Sequence, residues 1–133
     1  MADAQVVLCD TNILIDFSKR DPDVVQALRV IGTANIQVSA ITAGEFIFGA
    51  LNKTDLAKIL KALRIITVLP VDEAISEKGI ALVTEYALSH TLAVPDALIA
   101  ATALVHDLPL YTLNRKDFRF IEGLKLYDQK NLV

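Results

Sequence analysis

Several residue types are scarce in this sequence of 133 residues. It has one cysteine, two histidines, no tryptophan, three tyrosines and five phenylalanines. The single cysteine, Cys9, cannot form an internal disulfide, which fits a protein of the reducing cytoplasm. So few aromatic side chains provide no evident platform on which single-stranded bases could stack.

Long apolar segments are absent as well. The longest stretch without a charged side chain, residues 30–44, is interrupted by glycine and polar residues. Since a membrane-spanning helix needs about 20 mostly apolar residues, we expect no membrane segment. Residues 1–4 also lack the basic start of a secretory signal. We therefore expect a cytoplasmic protein.

An excess of positive charge is missing too, because the net charge is −3. This weakens, but does not exclude, an interpretation as a nucleic-acid-binding protein. If several acids are gathered in one metal site, the remaining surface is more positive than the total suggests.

What the chain has in surplus is apolar residues, at 53% of the sequence and a mean hydropathy of +0.46. We expect this surplus to cover a protein–protein interface.

Short apolar segments alternate with amphipathic ones along the chain. Strands are predicted at 5–9, Ile36–Ser39, 65–69, 110–113 and 124–127, and helices are predicted to begin at Asp21-Pro22, at Thr42 to Glu45, at Thr54-Asp55, at Asp72 and at Pro95-Asp96. This alternation is typical of an α/β fold. We predict one domain over 1–133, with a central, mainly parallel sheet of about five strands and helices on both faces.

Four acids follow the carboxyl ends of predicted strands or begin the helices near them. They are Asp10, Glu45, Asp96 and Asp117, with Asn114 close to the last. In an open α/β sheet, ligands bind at the edge formed by the carboxyl ends of the strands. The sequence therefore predicts that these side chains converge there.

Each acid also has an ordinary structural explanation. Asp10 is a possible helix cap, and Glu45 completes a Thr42-x-x-Glu45 capping box. Asp96 would favour the positive end of a helix dipole, and Asp117 could be a simple surface residue. Their shared edge favours a common site, since independent caps have no reason to fall on one edge.

The negative charges of clustered carboxylates repel one another, and this repulsion must be relieved. Two unit charges about 4 Å apart repel by about 4 kcal/mol at an effective dielectric constant near 20. Either the pKa values rise or a cation binds. Because His90 and His106 are isolated in the sequence, the ligands would all be oxygens, which suit Mg²⁺ or Mn²⁺ better than zinc.

Four motifs make the chain resemble the PIN-domain ribonucleases, and most of all the VapC toxins of toxin–antitoxin pairs. They are "DTNILID" at 10–16, "SAITAGEFIFGA" at 39–50, "PDALIAATAL" at 95–104 and "YTLNRKDF" at 111–118. The resemblance covers nearly the whole chain. Two features depart from the family pattern: Pro95 precedes the third acid, and "ALSHTLAV" lacks a glycine often found before it.

The resemblance implies roles for individual residues. Asp10, Glu45 and Asp96 match the family's first three acids. Some members have the fourth acid where this chain has Asn114, and others have it before the phenylalanine, where this chain has Asp117; we prefer Asp117 as the acid, with Asn114 as its companion. Small polar residues that match the lining of the site are Thr11, Asn12 and Thr112, with Asn114 beside them. Asp16 is expected to be structural.

The implied activity is hydrolysis of RNA phosphodiester bonds with one or two Mg²⁺ or Mn²⁺ ions. Candidate phosphate contacts are Lys19, Arg20, Lys53, Arg115, Lys116 and Arg119. The family also implies a homodimer and a small antitoxin partner. The segment "EFIFGAL" and the helix after Thr54 are the candidate surfaces for these contacts.

Two other functions remain open at this stage. A catalytically silent PIN-fold module would bind or regulate without turnover. A haloacid-dehalogenase-like phosphatase also begins with a strand that ends in aspartate, but its chemistry needs a second acid two residues later, where this chain has Asn12.

Overall fold

Four short parallel strands form the centre of the protein. The computed structural model describes residues 5–129. The strands are β1 (Val7–Cys9), β2 (Ile36–Ser39), β3 (Thr67–Leu69) and β4 (Leu110–Tyr111), in the order β3-β2-β1-β4. Leu8 pairs with Gln37 on one side and with Leu110 on the other. The predicted α/β class with a parallel sheet is confirmed.

The segment predicted as a fifth strand, 124–127, contributes a single bridge. Leu126 pairs with Leu110 in parallel, and the N–H of Tyr127 donates to the Leu110 carbonyl at 2.8 Å. The segment thus adds one residue pair to the β4 edge. The predictions for residues 1–4 and for the outer limits of the domain extend beyond the described residues.

Six α-helices connect the strands in the described part of the chain. They are α1 (Thr11–Ser18), α2 (Pro22–Ile31), α3 (Ala40–Phe48), α4 (Lys53–Arg64), α5 (Glu73–His90) and α6 (Val94–Val105). Short 3-10 helices lie at Thr33–Asn35 and Arg115–Asp117. None of the helices within 5–129 is long and apolar enough to cross a membrane.

Side-chain caps determine where most of these helices begin. Asp21 accepts the N–H groups of Asp23 and Val24, and Asp72 accepts that of Ile75, as the sequence predicts. Helix α4 begins slightly earlier than predicted, because Asn52 caps it by accepting the Asp55 N–H at 2.8 Å.

Two predictions about helices are incomplete or wrong. Helix α1, which follows β1 directly with Asp10 as its N-cap, was not predicted. The predicted start of α3 at Thr42 is wrong, because Ser39 caps this helix by accepting the Ile41 N–H at 3.0 Å. Glu45 therefore lies in the second turn and does not close a capping box.

Both faces of the sheet are covered by apolar layers. Residues of β1 alternate in direction, so that Val7 and Cys9 belong to a core with α1 to α4, whereas Leu8 belongs to a core with α5 and α6. All three are fully buried. Burial raises the pKa of the Cys9 thiol to about 12, so this side chain packs in the core as a protonated, unreactive thiol.

Candidate active site

Asp10 lies where β1 passes into α1, at the carboxyl end of the central strand. Its backbone N–H donates to the Tyr111 carbonyl at 2.9 Å, so the parallel ladder holds it against β4. The side chain is only 5% exposed. Its Oδ1 accepts the Thr11 N–H at 2.7 Å, and its Oδ2 accepts the Thr112 hydroxyl at 2.8 Å. Asp10 is thus a helix cap and also a buried carboxylate at the predicted edge.

Asn12 and Thr112 connect Asp10 to the loop after β4. The amide nitrogen of Asn12 lies 3.4 Å from both Asp10 Oδ2 and Thr112 Oγ1, and its Oδ1 accepts the Leu113 N–H at 3.2 Å. Thr112 Oγ1 also accepts the Asn114 N–H at 3.1 Å. An amide in this position cannot act as a general acid, which disfavours the phosphatase alternative.

Glu45 reaches the same edge from α3. Its Oε1 accepts the hydroxyl of Thr11 at 2.6 Å, although its side chain is otherwise exposed. Thr11 Oγ1 in turn lies 3.3 Å from the hydroxyl oxygen of Thr42, which is fully buried. The sequence pattern predicted Thr42 only as a helix cap. The only signal of its contact with the site was a hydroxyl one turn before Glu45, in a motif whose one other hydroxyl belongs to Ser39.

Asp96 is the third residue of α6 and is partly buried. Its pKa is raised to about 6, mainly by burial and then by the negative charges of Asp10, Asp117 and Glu45, in that order of effect. The four predicted acids are therefore close enough to act on one another. The first-turn position also fits the helix-dipole explanation, so the two explanations do not compete.

The pKa of Asp10 is raised as well. Burial is the main cause, and the charges of Glu45 and Asp117 add to it, while the hydrogen bonds from Thr112 and Thr11 oppose it. These bonds stabilise the ionised form. Asp10 is thus a buried acid whose charge is partly, but not fully, compensated by neutral donors.

Asp117 ends the 3-10 helix Arg115–Asp117 and is exposed. Its charge acts on both Asp10 and Asp96. Asn114 is exposed and joins the site through its backbone N–H. These observations support the preference for Asp117 as the fourth acid, with Asn114 as its neighbour.

The acids fit a divalent cation by charge and by donor type. Carboxylate oxygens are the ligands that Mg²⁺ and Mn²⁺ prefer, and a cation would relieve the repulsion that raises the pKa of Asp96. Within 5–129, however, no three acidic, histidine or cysteine side chains are already grouped closely enough to hold an ion. An ion held by one or two of the carboxylates, with water molecules completing its coordination, fits this arrangement.

The predicted RNA contacts divide into two groups. Lys19, Arg20, Lys53, Lys116 and Arg119 are exposed on the surface. Arg115 is also exposed, but its guanidinium donates to the Tyr127 carbonyl at 3.1 Å. Arg115 therefore contributes to holding the C-terminal segment against the β4 loop.

Solved structures similar to this chain include toxin–antitoxin complexes. A chain of the "Toxin-antitoxin complex from Klebsiella pneumoniae" is 36% identical, with a TM-score of 0.77, over 89% of this chain and 94% of that chain. VapBC-1 from nontypeable Haemophilus influenzae gives 27% identity, a TM-score of 0.76 and coverage of 95% and 99%. FitAcB from Neisseria gonorrhoeae is 26% identical to this chain, with a TM-score of 0.78, over 95% of this chain and 99% of that chain. No curated protein sequence matches the chain significantly.

A family model described as "PIN domain" matches residues 7–123, which include all four acids and the polar residues that bind them. This match covers most of the chain, and the predicted resemblance is confirmed. The chain belongs to the PIN domain family.

Proposed function

We propose that the protein is a metal-dependent RNA endonuclease and the toxin of a toxin–antitoxin pair. The observation that carries this proposal is the close approach of four acids at one edge of the sheet, where burial, together with the charges of Asp10, Asp117 and Glu45, raises the pKa of Asp96 to about 6. Such a group of acids is costly for the folded protein unless a cation binds there. The similarity to solved toxin–antitoxin complexes supports the toxin assignment.

The side chains have distinct roles in this proposal. Asp10, Glu45, Asp96 and Asp117 hold one or two ions, while Thr112 and Asn12 keep Asp10 in place through the hydrogen bonds described above. Bound Mg²⁺ or Mn²⁺ supplies water activation and neutralisation of phosphoryl charge. One of the four carboxylates accepts the proton of the attacking water. The exposed basic residues near the last motif, Lys116 and Arg119, contact RNA phosphates.

The apolar surface supports the proposed protein partners. Phe48 is 92% exposed and Leu51 is 88% exposed, and both belong to the segment "EFIFGAL". Phe48 also lines an open groove with Pro95 and Glu45, beside the acids. We propose that a second copy of the chain and a small antitoxin cover this face, and that the protein acts in the cytoplasm.

Cleavage of total cellular RNA by the antitoxin-free protein tests the activity. The assay includes Mg²⁺ or Mn²⁺, a parallel reaction with EDTA, the Asp96→Asn variant and, as a matched control, Glu77→Gln on the exposed surface of α5. We expect cleavage that needs the metal, persists in Glu77→Gln and is lost in Asp96→Asn. Equal cleavage by wild type and Asp96→Asn would contradict the proposed site.

A silent binding module is the second candidate, and one observation is compatible with it. Within residues 5–129, no three acidic, histidine or cysteine side chains already form a group that could hold an ion. Metal titration separates the candidates, since a nuclease must bind Mn²⁺ through these acids whereas a silent module need not. Folded wild-type protein that neither binds Mn²⁺ nor cleaves RNA would support the silent module.

A further inference from the structure

We propose that Thr42 is a positioning residue that aligns Glu45 through the hydroxyl of Thr11; this inference rests on the proposed role of Glu45 as a metal ligand. Thr42 is 0% exposed and lies inside α3, one turn before Glu45. Its Oγ1 is 3.3 Å from Thr11 Oγ1, and Thr11 Oγ1 is 2.6 Å from Glu45 Oε1. Three side chains from two helices thus form one chain of oxygen atoms.

The number of protons on the two hydroxyls determines which group donates in each of these hydrogen bonds. A threonine hydroxyl has one proton, and an ionised carboxylate can only accept. The short distance between Thr11 Oγ1 and Glu45 Oε1 is typical of a hydrogen bond to a charged oxygen, so Thr11 donates its proton to Glu45. A hydrogen bond between the two hydroxyls then requires Thr42 to donate to Thr11.

Other helical threonines use their hydroxyls differently. Thr84 and Thr102 each donate to the carbonyl four residues earlier in their own helix, at 2.8 Å. This is the usual arrangement for threonine in a helix. Thr42 instead contacts a side chain of α1, which lies across the site from its own helix.

These hydrogen bonds orient the exposed side chain of Glu45. A hydroxyl group can rotate so that its proton points to any of several acceptors. When Thr42 donates a hydrogen bond to Thr11 Oγ1, however, the proton of Thr11 stays directed to Glu45. Thr11 directly follows Asp10, whose Oδ1 accepts the Thr11 backbone N–H. Thr11 therefore keeps two of the four acids in a fixed relation, and Thr42 keeps Thr11 in the required orientation from inside the core.

Metal affinity of three variants of the full chain tests the proposal. Thr42→Val preserves shape but removes the hydroxyl, Thr42→Ser preserves the hydroxyl, and Thr102→Val removes an equally buried hydroxyl from α6. We expect Thr42→Val to weaken Mn²⁺ binding, measured by calorimetry, by about tenfold, as is typical when a residue that orients a metal ligand is lost. Thr42→Ser and Thr102→Val should bind Mn²⁺ as the wild type does.

Unchanged Mn²⁺ affinity in Thr42→Val, an equal loss in Thr102→Val, or no recovery in Thr42→Ser would overturn the proposal. A double-mutant cycle of Thr42→Val with Thr11→Val, measured by denaturation without metal, separates this inference from the proposed function. Non-additive effects on stability are expected for hydroxyls in contact, and additivity would overturn the proposal. If the effects are non-additive but the wild type binds no Mn²⁺, the proposed nuclease function fails while the hydroxyl chain stands.

Discussion

Thr112 donates a hydrogen bond of 2.8 Å to Oδ2 of Asp10, although 102 positions separate the two residues in sequence. Both are buried, at the carboxyl ends of β4 and β1. The bond therefore connects two neighbouring strands at the point where a carboxylate has few other donors. Its loss should affect both the fold and the site.

The Thr112→Val variant tests the value of this bond. We expect it to lower the free energy of unfolding at pH 7.5 by about 1–3 kcal/mol, because a buried charged acceptor loses a donor. Urea denaturation measures the change, with Thr112→Ser as the matched control that preserves the hydroxyl. Equal stability of Thr112→Val and wild type would show that another group stabilises the charge of the Asp10 carboxylate.

The stability of the metal-free protein should fall as the pH rises through about 6. The pKa of Asp96 is about 6 in the folded protein, above its ordinary value of 3.8, so the folded state holds this proton more tightly than the unfolded state. The stabilisation that comes from this proton of Asp96 is fully present below pH 3.8 and is lost once the pH exceeds the folded pKa. The full shift corresponds to about 3 kcal/mol, which solvent screening of the partly exposed Asp96 carboxyl reduces to about 2 kcal/mol. Denaturation with EDTA at pH 4 to 8 measures this change in stability.

Asp96→Asn should flatten most of this pH dependence and stabilise the metal-free protein at pH 7.5. Some dependence remains in the variant, because the pKa of Asp10 is raised too. Glu77→Gln, an exposed substitution on α5, should preserve the wild-type curve. The same slope in Asp96→Asn and wild type would mean that another group titrates.

Gly79 allows the close packing of α5 against α6. A Cβ atom at this position would lie 2.7 Å from Cδ2 of Leu98, two residues after Asp96. We expect Gly79→Val to lower the thermal midpoint by an amount equivalent to about 1–3 kcal/mol, as overpacked cores do. Gly44→Ala is the control, because a Cβ there meets nothing within 4 Å. A variant Gly79→Val as stable as wild type would show that Leu98 moves aside freely.

Lys116 and Arg119 should contribute to RNA binding through phosphate contacts. Replacing either by alanine should weaken RNA binding and make it less dependent on salt, with the slope of log K against log salt falling by about one. Fluorescence anisotropy with EDTA present measures binding without cleavage. Lys78→Ala, an exposed substitution on α5, is the control; an equal change in slope for Lys78→Ala would indicate a general charge effect.

The alternation of apolar and amphipathic segments was enough to predict the class of fold and the edge where the acids meet. Asp21, Pro22 and Asp72 predicted helix starts correctly, because a cap acts on residues only two or three positions away. Helix α1 was not predicted, although Asp10 was recognised as a possible helix cap, because Thr11 and Asn12 are equally compatible with a turn.

The contacts within the site depend on pairs that are distant in sequence. Asn12 lies 100 positions from Thr112, and Thr11 lies 31 from Thr42. No local pattern selects such pairs, since they follow from strand order and helix packing. The predicted capping box at Thr42 was wrong for a local reason instead: Ser39, three residues earlier, already caps the helix by accepting the Ile41 N–H.

The bridge between Leu126 and Leu110 has a consequence for solubility. β4 is an outer strand of the sheet, and outer strands present unpaired backbone groups that can recruit strands of other molecules. The Leu110 N–H donates to the Lys125 carbonyl, and the Leu110 carbonyl accepts the Tyr127 N–H, both at 2.8 Å. The segment around Leu126 thus occupies the outward-facing groups of Leu110 and protects this margin of the sheet from self-association.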